Sequence, residues 1–209
     1  MATHEVFNQP PPLVDVNVYR SDRALVETVE RERGATPPEL EQIGELAGSA
    51  ECLQWGVDAN AYPPELHTHD RYGHRIDEVT FHPAWFKLLQ VATRFGLHGT
   101  PWGEDEPGAH ALRAAKFFVW AQVEAGHGCP ISMTYAAVPA LRAQLEVARV
   151  WEPLLVTREY DRRLVPVAQK RSALTGMAMT EKQGGSDLRA NATRATFAER
   201  TPLGDAYLL

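Results

Sequence analysis

The stretch GMAMTEKQGGSD, Gly176 to Asp187, gathers the densest polar chemistry in the sequence. Thr180 and Ser186 bring hydroxyls, Glu181 and Asp187 bring carboxylates, and Gly184 and Gly185 leave the backbone without Cβ atoms between them. Paired glycines can take positive φ and uncover N–H groups, so such a loop can turn donors toward an anion or the polar edge of a heteroaromatic ring. The same residues also suit an ordinary hairpin connection, with Gly-Gly as the turn and Thr, Ser and Asp as turn formers. The common nucleotide cradles do not apply. No G-x-x-x-x-G-K-[ST] occurs, and no G-x-G-x-x-G follows a strand and opens a helix.

Three other groupings carry chemistry on paper. His67, His69 and His74 with Asp70 and Asp77 are ligand types for zinc or iron, but LHTHDRYGHRIDE lacks a standard metal spacing and reads as loop histidines that are hydrogen-bonded or solvated. Cys129 stands two residues from His127, with Pro130 at a helix start, a setting that can activate a thiol. A packing cysteine is the preferred reading there. Asn191-Ala192-Thr193 fits the glycosylation pattern but, with no secretion signal, reads as part of a strand.

These residues need elements to hold them. HPAWFKLLQVATRFG places Trp85, Leu88, Leu89, Ala92 and Phe95 on one stripe, with Pro83 in the first turn and Gly96 as the stop, and so predicts a helix. A second helix is expected from about Gly108 to Ala125, apolar nearly all round and therefore surrounded by others. The third long stretch, MTYAAVPALRAQLEVARVWEPLLV, is expected to kink or restart at Pro139. Phe117, Phe118 and Trp120 read as core by spacing, as does Trp85. After Arg171 the texture changes: SALTGMAM, RANATRATFA and TPLGDAYLL read as short strands without enough partners to cover their edges. The expected organisation is an arm over 1–36, a helical domain over 37–170, and the start of an incomplete β domain over 171–209.

Composition narrows the class. The chain has 209 residues, 44% of them hydrophobic, and 21 basic against 27 acidic residues for a net charge of −6. That suits a globular chain and gives no global field toward nucleic acid or an anionic membrane. There is no run of about eighteen apolar residues and no signal-peptide layout, so a cytoplasmic setting is expected. Cys52 and Cys129 are the only thiols and are expected to be reduced and buried.

GMAMTEKQGGSD resembles the M-x-x-T-E-x-x-x-G-S-D type signature of the acyl-CoA dehydrogenase flavoprotein family. VFNQPPPLVDVNVYRSD, LHTHDRYGHRIDEVTFHPAW and QVEAGHGCPISMTYAAVPALR are similar to the AidB-type branch of that family, linked to the bacterial response to DNA alkylation, and the resemblance runs through essentially the whole chain. It implies a mainly α fold: an N-terminal helical bundle of the acyl-CoA dehydrogenase type, followed by the first strands of a truncated β-barrel domain. It implies FAD as cofactor, held in part by Met177, Ala178, Met179, Thr180, Glu181, Gly184, Gly185 and Ser186. Thr180 is expected at the flavin ring, Ser186 and the Gly185 N–H toward the diphosphate, and Glu181 and Asp187 as braces of the loop. The family's catalytic base lies in a second helical domain, so no catalytic residue is expected here and the chain is expected to be a fragment. Implied partners are an acyl-CoA and, through regions beyond these residues, double-stranded DNA, with a homotetramer at full length. The alternative implied function is a flavin-containing DNA-binding, protective protein with little dehydrogenase activity.

Overall fold

The computed structural model describes residues 3–201 and 204–209. Two compact units divide the chain, Met1–Gly176 and Met177–Leu209. The first is helical. Asn17 caps α1 (Val18–Ser21) by accepting from the Arg20 N–H at 3.0 Å, and Asp22 caps α2 (Arg23–Arg33) by accepting from the Leu25 N–H at 2.9 Å. α3 (Pro38–Gly48) opens on a proline whose missing N–H would be unbonded in a first turn anyway, and Ser49 caps α4 (Ala50–Ala61). α5 (Pro83–Arg94), α6 (Ala109–Trp120), α7 (Gly128–Leu141) and α8 (Leu145–Val156) complete the eight α-helices among the described residues. None of these helices is long and apolar enough to cross a membrane.

Their apolar stripes meet in one main core. Tyr19, Leu40, Ile43, Leu88, Leu97, Val119, Trp120 and Ile131 are fully buried there, and Val138, Leu155 and Ala173 form a smaller cluster. Lys116, also buried, donates to Glu39 at 2.6 Å, and Arg158 binds the other oxygen of the same carboxylate. That shared carboxylate ties α6 and the segment after α8 to α3, and its two cations outweigh burial in holding Glu39 below its ordinary pKa.

The expected helices form, with three differences. α6 stops at Trp120, not Ala125, because the N–H groups of Gln122 and Val123 tighten into i→i−3 bonds and the Glu124 carboxylate then takes the N–H groups of Gly126 and His127 at 2.6 and 2.7 Å. The third stretch is two helices parted at 142–144, and Pro139 lies within the last turn of α7. The carbonyl that a residue at 139 would normally engage, that of Tyr135, instead accepts from the Trp102 indole at 2.8 Å. Phe118, read as core by its spacing, is 53% exposed, and of the two thiols expected to be buried Cys52 is buried and Cys129 is exposed.

The histidine-rich stretch is a hairpin. β1 (Glu65–His69) pairs antiparallel with β2 (Arg75–Thr80), Leu66 opposite Val79, around a turn in which the Asp70 carboxylate accepts from the N–H groups of Tyr72 and His74 and Gly73 sits at φ 86°. Both faces are exposed, so the strands carry none of the in–out alternation that would have revealed them.

The second unit holds β3 (Thr196–Thr201) and β4 (Gly204–Leu208), an antiparallel pair with Thr196 opposite Leu208. Two of the three strands expected after Arg171 differ. Ser172–Met179 forms no strand: the Ala173 N–H donates to the Leu154 carbonyl and the Thr175 N–H to the Thr134 hydroxyl, so those donors are spent on helices. The strand expected from Arg189 begins only at Thr196, after a 3-10 turn at Leu188–Ala190.

Candidate functional site

Within the second unit, Glu181 organises the loop. Its carboxylate accepts from the N–H of Ala192 at 2.9 Å, the N–H of Thr193 at 2.6 Å, the Thr193 hydroxyl and the Gln183 amide. These donors, the Thr193 hydroxyl first, hold its pKa down to about 2. The Asn191 side-chain amide donates to the Met179 carbonyl at 2.8 Å, a second stitch between the same two segments. The Gly184 N–H closes a turn onto the Glu181 carbonyl at 3.1 Å.

Gly185 then passes directly against Thr180. A Cβ there would stand 2.7 Å from the Thr180 Cγ2, a distance no pair of carbons adopts, whereas Gly184 has nothing within 4 Å. Neither glycine takes positive φ, so these glycines serve close approach in one case and open space in the other rather than left-handed backbone. Asp187 caps the 3-10 turn, accepting from the N–H and side chain of Arg189. Gly184, Gly185, Ser186, Asp187 and Asn191 border a concavity of about 310 Å³. Ala178, Met179, Thr180, Gly184, Gly185 and Ser186 are exposed, and Met177 is half-buried. Among the described residues the N–H groups of Met177, Ala178, Met179 and Thr180 donate no hydrogen bond. The loop thus joins a braced turn to a run of uncommitted donors, and one main-chain acceptor, Met179 O, is already taken.

The other groupings resolve differently. The His67 ring bonds the Thr80 hydroxyl at 3.0 Å, His74 pairs with Asp70 at 3.1 Å, and Asp77 pairs with Arg75 at 2.7 Å. Among the described residues no three His, Cys, Asp or Glu side chains are arranged to hold a metal ion. His127 is buried with its Nδ1 3.0 Å from the Glu124 carboxylate, whereas Cys129 is exposed. Burial pushes the His127 pKa down more than Glu124 raises it. The sequence hid this pair because Glu124 reads as the tail of a helix. His98 was also hidden: it is buried, donates from Nε2 to the Thr157 carbonyl at 2.7 Å, and has its pKa pushed down to about 4 by burial.

Comparison with known proteins adds the context of the whole chain. Residues 8–162 match the family model of the adaptive response protein AidB N-terminal domain. Over 200 residues the chain is 49% identical to the putative acyl-CoA dehydrogenase AidB of Escherichia coli (strain K12), an alignment covering 94% of this chain and 37% of that protein. It is 28% identical to acyl-CoA dehydrogenase family member 11 of Caenorhabditis elegans, over 87% of this chain and 30% of the relative. The chain therefore spans about a third of the length of these relatives. Among solved structures, Bd2924 in its apo form superposes with a TM-score of 0.78 at 26% identity, covering 97% of this chain and 40% of that one. Caenorhabditis elegans ACDH-11 in complex with C11-CoA superposes with a TM-score of 0.73 at 25% identity, covering 92% and 33%.

Proposed function

We propose a function from the family to which this chain belongs, that of the adaptive response protein AidB N-terminal domain. The chain supplies the N-terminal helical domain and one wall of the flavin site of an FAD-dependent acyl-CoA dehydrogenase-like protein working in the cytoplasm. The observation that carries this reading is the run of uncommitted N–H groups from Met177 to Thr180, held against Gly185 and braced by Glu181. Such a run fits a cofactor with a polar ring edge, and a Cβ at Gly185 would displace the very hydroxyl-bearing side chain proposed to face it.

In this reading Met177 to Thr180 supply backbone contacts to the flavin's pyrimidine edge, and the Thr180 hydroxyl adds a directed donor. Ser186 and the Gly185 N–H face a phosphoryl oxygen. Glu181 keeps its negative charge on Ala192 and Thr193, so it braces the turn and does not confront a diphosphate. When bound, FAD supplies the electron sink for oxidising an acyl thioester after removal of its α-proton. No residue of this chain is assigned to that proton transfer.

The test is Thr180→Ala in the full-length protein that contains this chain. A weaker FAD affinity and a lower flavin reduction potential are expected, read by fluorescence titration and by potentiometry. An unchanged affinity and potential would remove the hydroxyl from the site. The adaptive-response description of the matched family favours a second reading, a flavin-containing, homotetrameric, DNA-associated protein of alkylation defence in which dehydrogenation is secondary. Turnover of an acyl-CoA with an electron acceptor by the full-length protein supports the first reading. Salt-sensitive duplex binding without turnover supports the second.

A further inference from the structure

The helical unit carries a basic cleft that the proposed flavin site does not use. Pro83, Phe86 and Gln90 of α5 form one side, and the strap from Tyr160 to Arg171 the other, around a volume of about 470 Å³. Lys87, Arg162, Arg163 and Arg171 line it against a single lining carboxylate, Asp161, although the chain as a whole is acidic by six charges.

The strap is held in shape by that carboxylate. Asp161 has a side chain 2% exposed; it accepts from the Arg163 guanidinium at 2.7 and 2.8 Å and from the Arg171 N–H at 3.0 Å, and its own N–H donates to the Ser172 hydroxyl. The Arg163 hydrogen bonds, followed by the Arg171 amide, hold its carboxyl far below the usual range, so it stays charged at any ordinary pH. Lys170 closes the strap by donating to the carbonyls of Asp161 and Arg163 at 3.0 and 2.7 Å. Arg163 and Lys170 are therefore consumed by the scaffold.

Three cationic side chains of the cleft take no part in that scaffold. Arg162 has no carboxylate within ion-pairing distance among the described residues, and its guanidinium stacks 4.9 Å above the Phe86 ring. Lys87 and Arg171 each stand 3.7 Å from one exposed carboxylate, Glu51 and Glu159, beyond hydrogen-bonding reach, and the Lys87 ammonium also lies 4.7 Å from the Trp55 ring centroid, a contact that leaves its N–H donors unspent. A planar fork pre-positioned on an aromatic ring, beside a second fork and an ammonium, is the donor set that a tetrahedral oxyanion satisfies best. We propose that this cleft binds a phosphate-bearing small molecule, with Arg162 and Arg171 gripping the phosphoryl oxygens and Lys87 adding charge.

The probes are inorganic pyrophosphate, ADP and citrate, titrated by calorimetry into the 209-residue chain at low salt. Pyrophosphate and ADP are expected to bind saturably, with affinity that falls as salt rises. Arg162→Ala and Arg171→Ala should each weaken binding about tenfold, the scale of one lost charge-assisted contact. Both side chains are exposed, so circular dichroism of the variants should match the parent, and Arg23→Ala, remote on α2, should bind as the parent does. ADP tighter than pyrophosphate would assign a nucleotide, its base stacking beside Arg162; equal affinity would assign the phosphoryl group alone. No saturable binding up to about 10 mM, equal affinity for citrate, or affinity indifferent to Arg162→Ala would each overturn the proposal.

Discussion

Gly185 and Gly184 are neighbours of the same type with opposite tolerances. An alanine at 185 drives its Cβ to within 2.7 Å of Thr180, whose β-branched side chain has little freedom to retreat, while an alanine at 184 enters open space on a backbone without positive φ. Gly185→Ala should therefore weaken flavin binding by the full-length protein at least tenfold, and Gly184→Ala should leave it within about twofold, both read by fluorescence titration. Equal effects would mean that the loop tolerates the shift and that Thr180 is not fixed by this contact. Glu181 gives a second handle. Its pKa falls from 4.5 to about 2 in the folded chain, so its contribution to loop order is complete above about 4.5 and is lost as pH falls toward 2. Amide exchange at Ala192 and Thr193 should accelerate across that window beyond the intrinsic pH effect, and Glu181→Gln should abolish the dependence. Thr180, Glu181, Gly184, Gly185 and Ser186 stood out in the sequence as polar and glycine types that suit a turn equally well, and only the family resemblance made them, with Met177 to Met179, a candidate flavin site. The resemblance implied that Glu181 braces the loop, but not what it grips: its partners are backbone donors eleven and twelve residues further on, and no side-chain pattern marks a backbone donor.

Elements were legible where burial leaves a period. α5 follows its stripe from Pro83 to Arg94 because Leu88, Leu89 and Ala92 all face the core. The hairpin at Glu65–Thr80 was invisible for the converse reason: with every strand residue exposed, selection for a buried face leaves no mark on the alternation. Pro139 shows a local rule overridden by tertiary contact, since the Trp102 indole satisfies the carbonyl that the proline abandons. The connection between α5 and α6 is anchored by His98, which ties it to Thr157 just past α8. Its Nδ1 is buried without a partner, and the guanidinium groups of Arg113 and Arg158 further oppose a positive charge. With a folded pKa of about 4 against 6.5 unfolded, the neutral ring is favoured by folding. Stability is then whole above about pH 6.5, falls as the unfolded chain takes up the proton first, and levels off below about pH 4, a loss of roughly 3 kcal/mol. His127 acts in the same direction. Urea midpoints between pH 7 and 4 should show the decline, and His98→Gln should flatten most of it; a variant with the parent's slope would assign the effect elsewhere.

At the scale of the molecule, the two units differ in what can stabilise them. The helical unit buries a continuous core from Tyr19 to Ile131 and crosses it with an ion pair on the buried Lys116. Among its described residues the second unit has one antiparallel strand pair, exposed from Thr196 to Arg200, in which Phe197 and Tyr207 meet edge-on at 5.9 Å. A two-stranded pair with no buried face is marginal in water, because a few cross-strand contacts must offset the entropy of ordering every residue. Hydrogen exchange of the 209-residue chain should therefore separate into two regimes. The amides of α5 and α6 should exchange only through global unfolding, while those of β3 and β4 should exchange at least a hundredfold faster through local opening. If the loop beside this pair carries the flavin, adding FAD to the full-length protein should slow exchange at Met177–Thr180 and at Ala192–Thr193 together, since Glu181 and Asn191 couple the two segments. Protection of β3 and β4 equal to that of the core helices, in this chain without cofactor, would mean that the pair draws stability from contacts other than its own. The two-regime account would then fail.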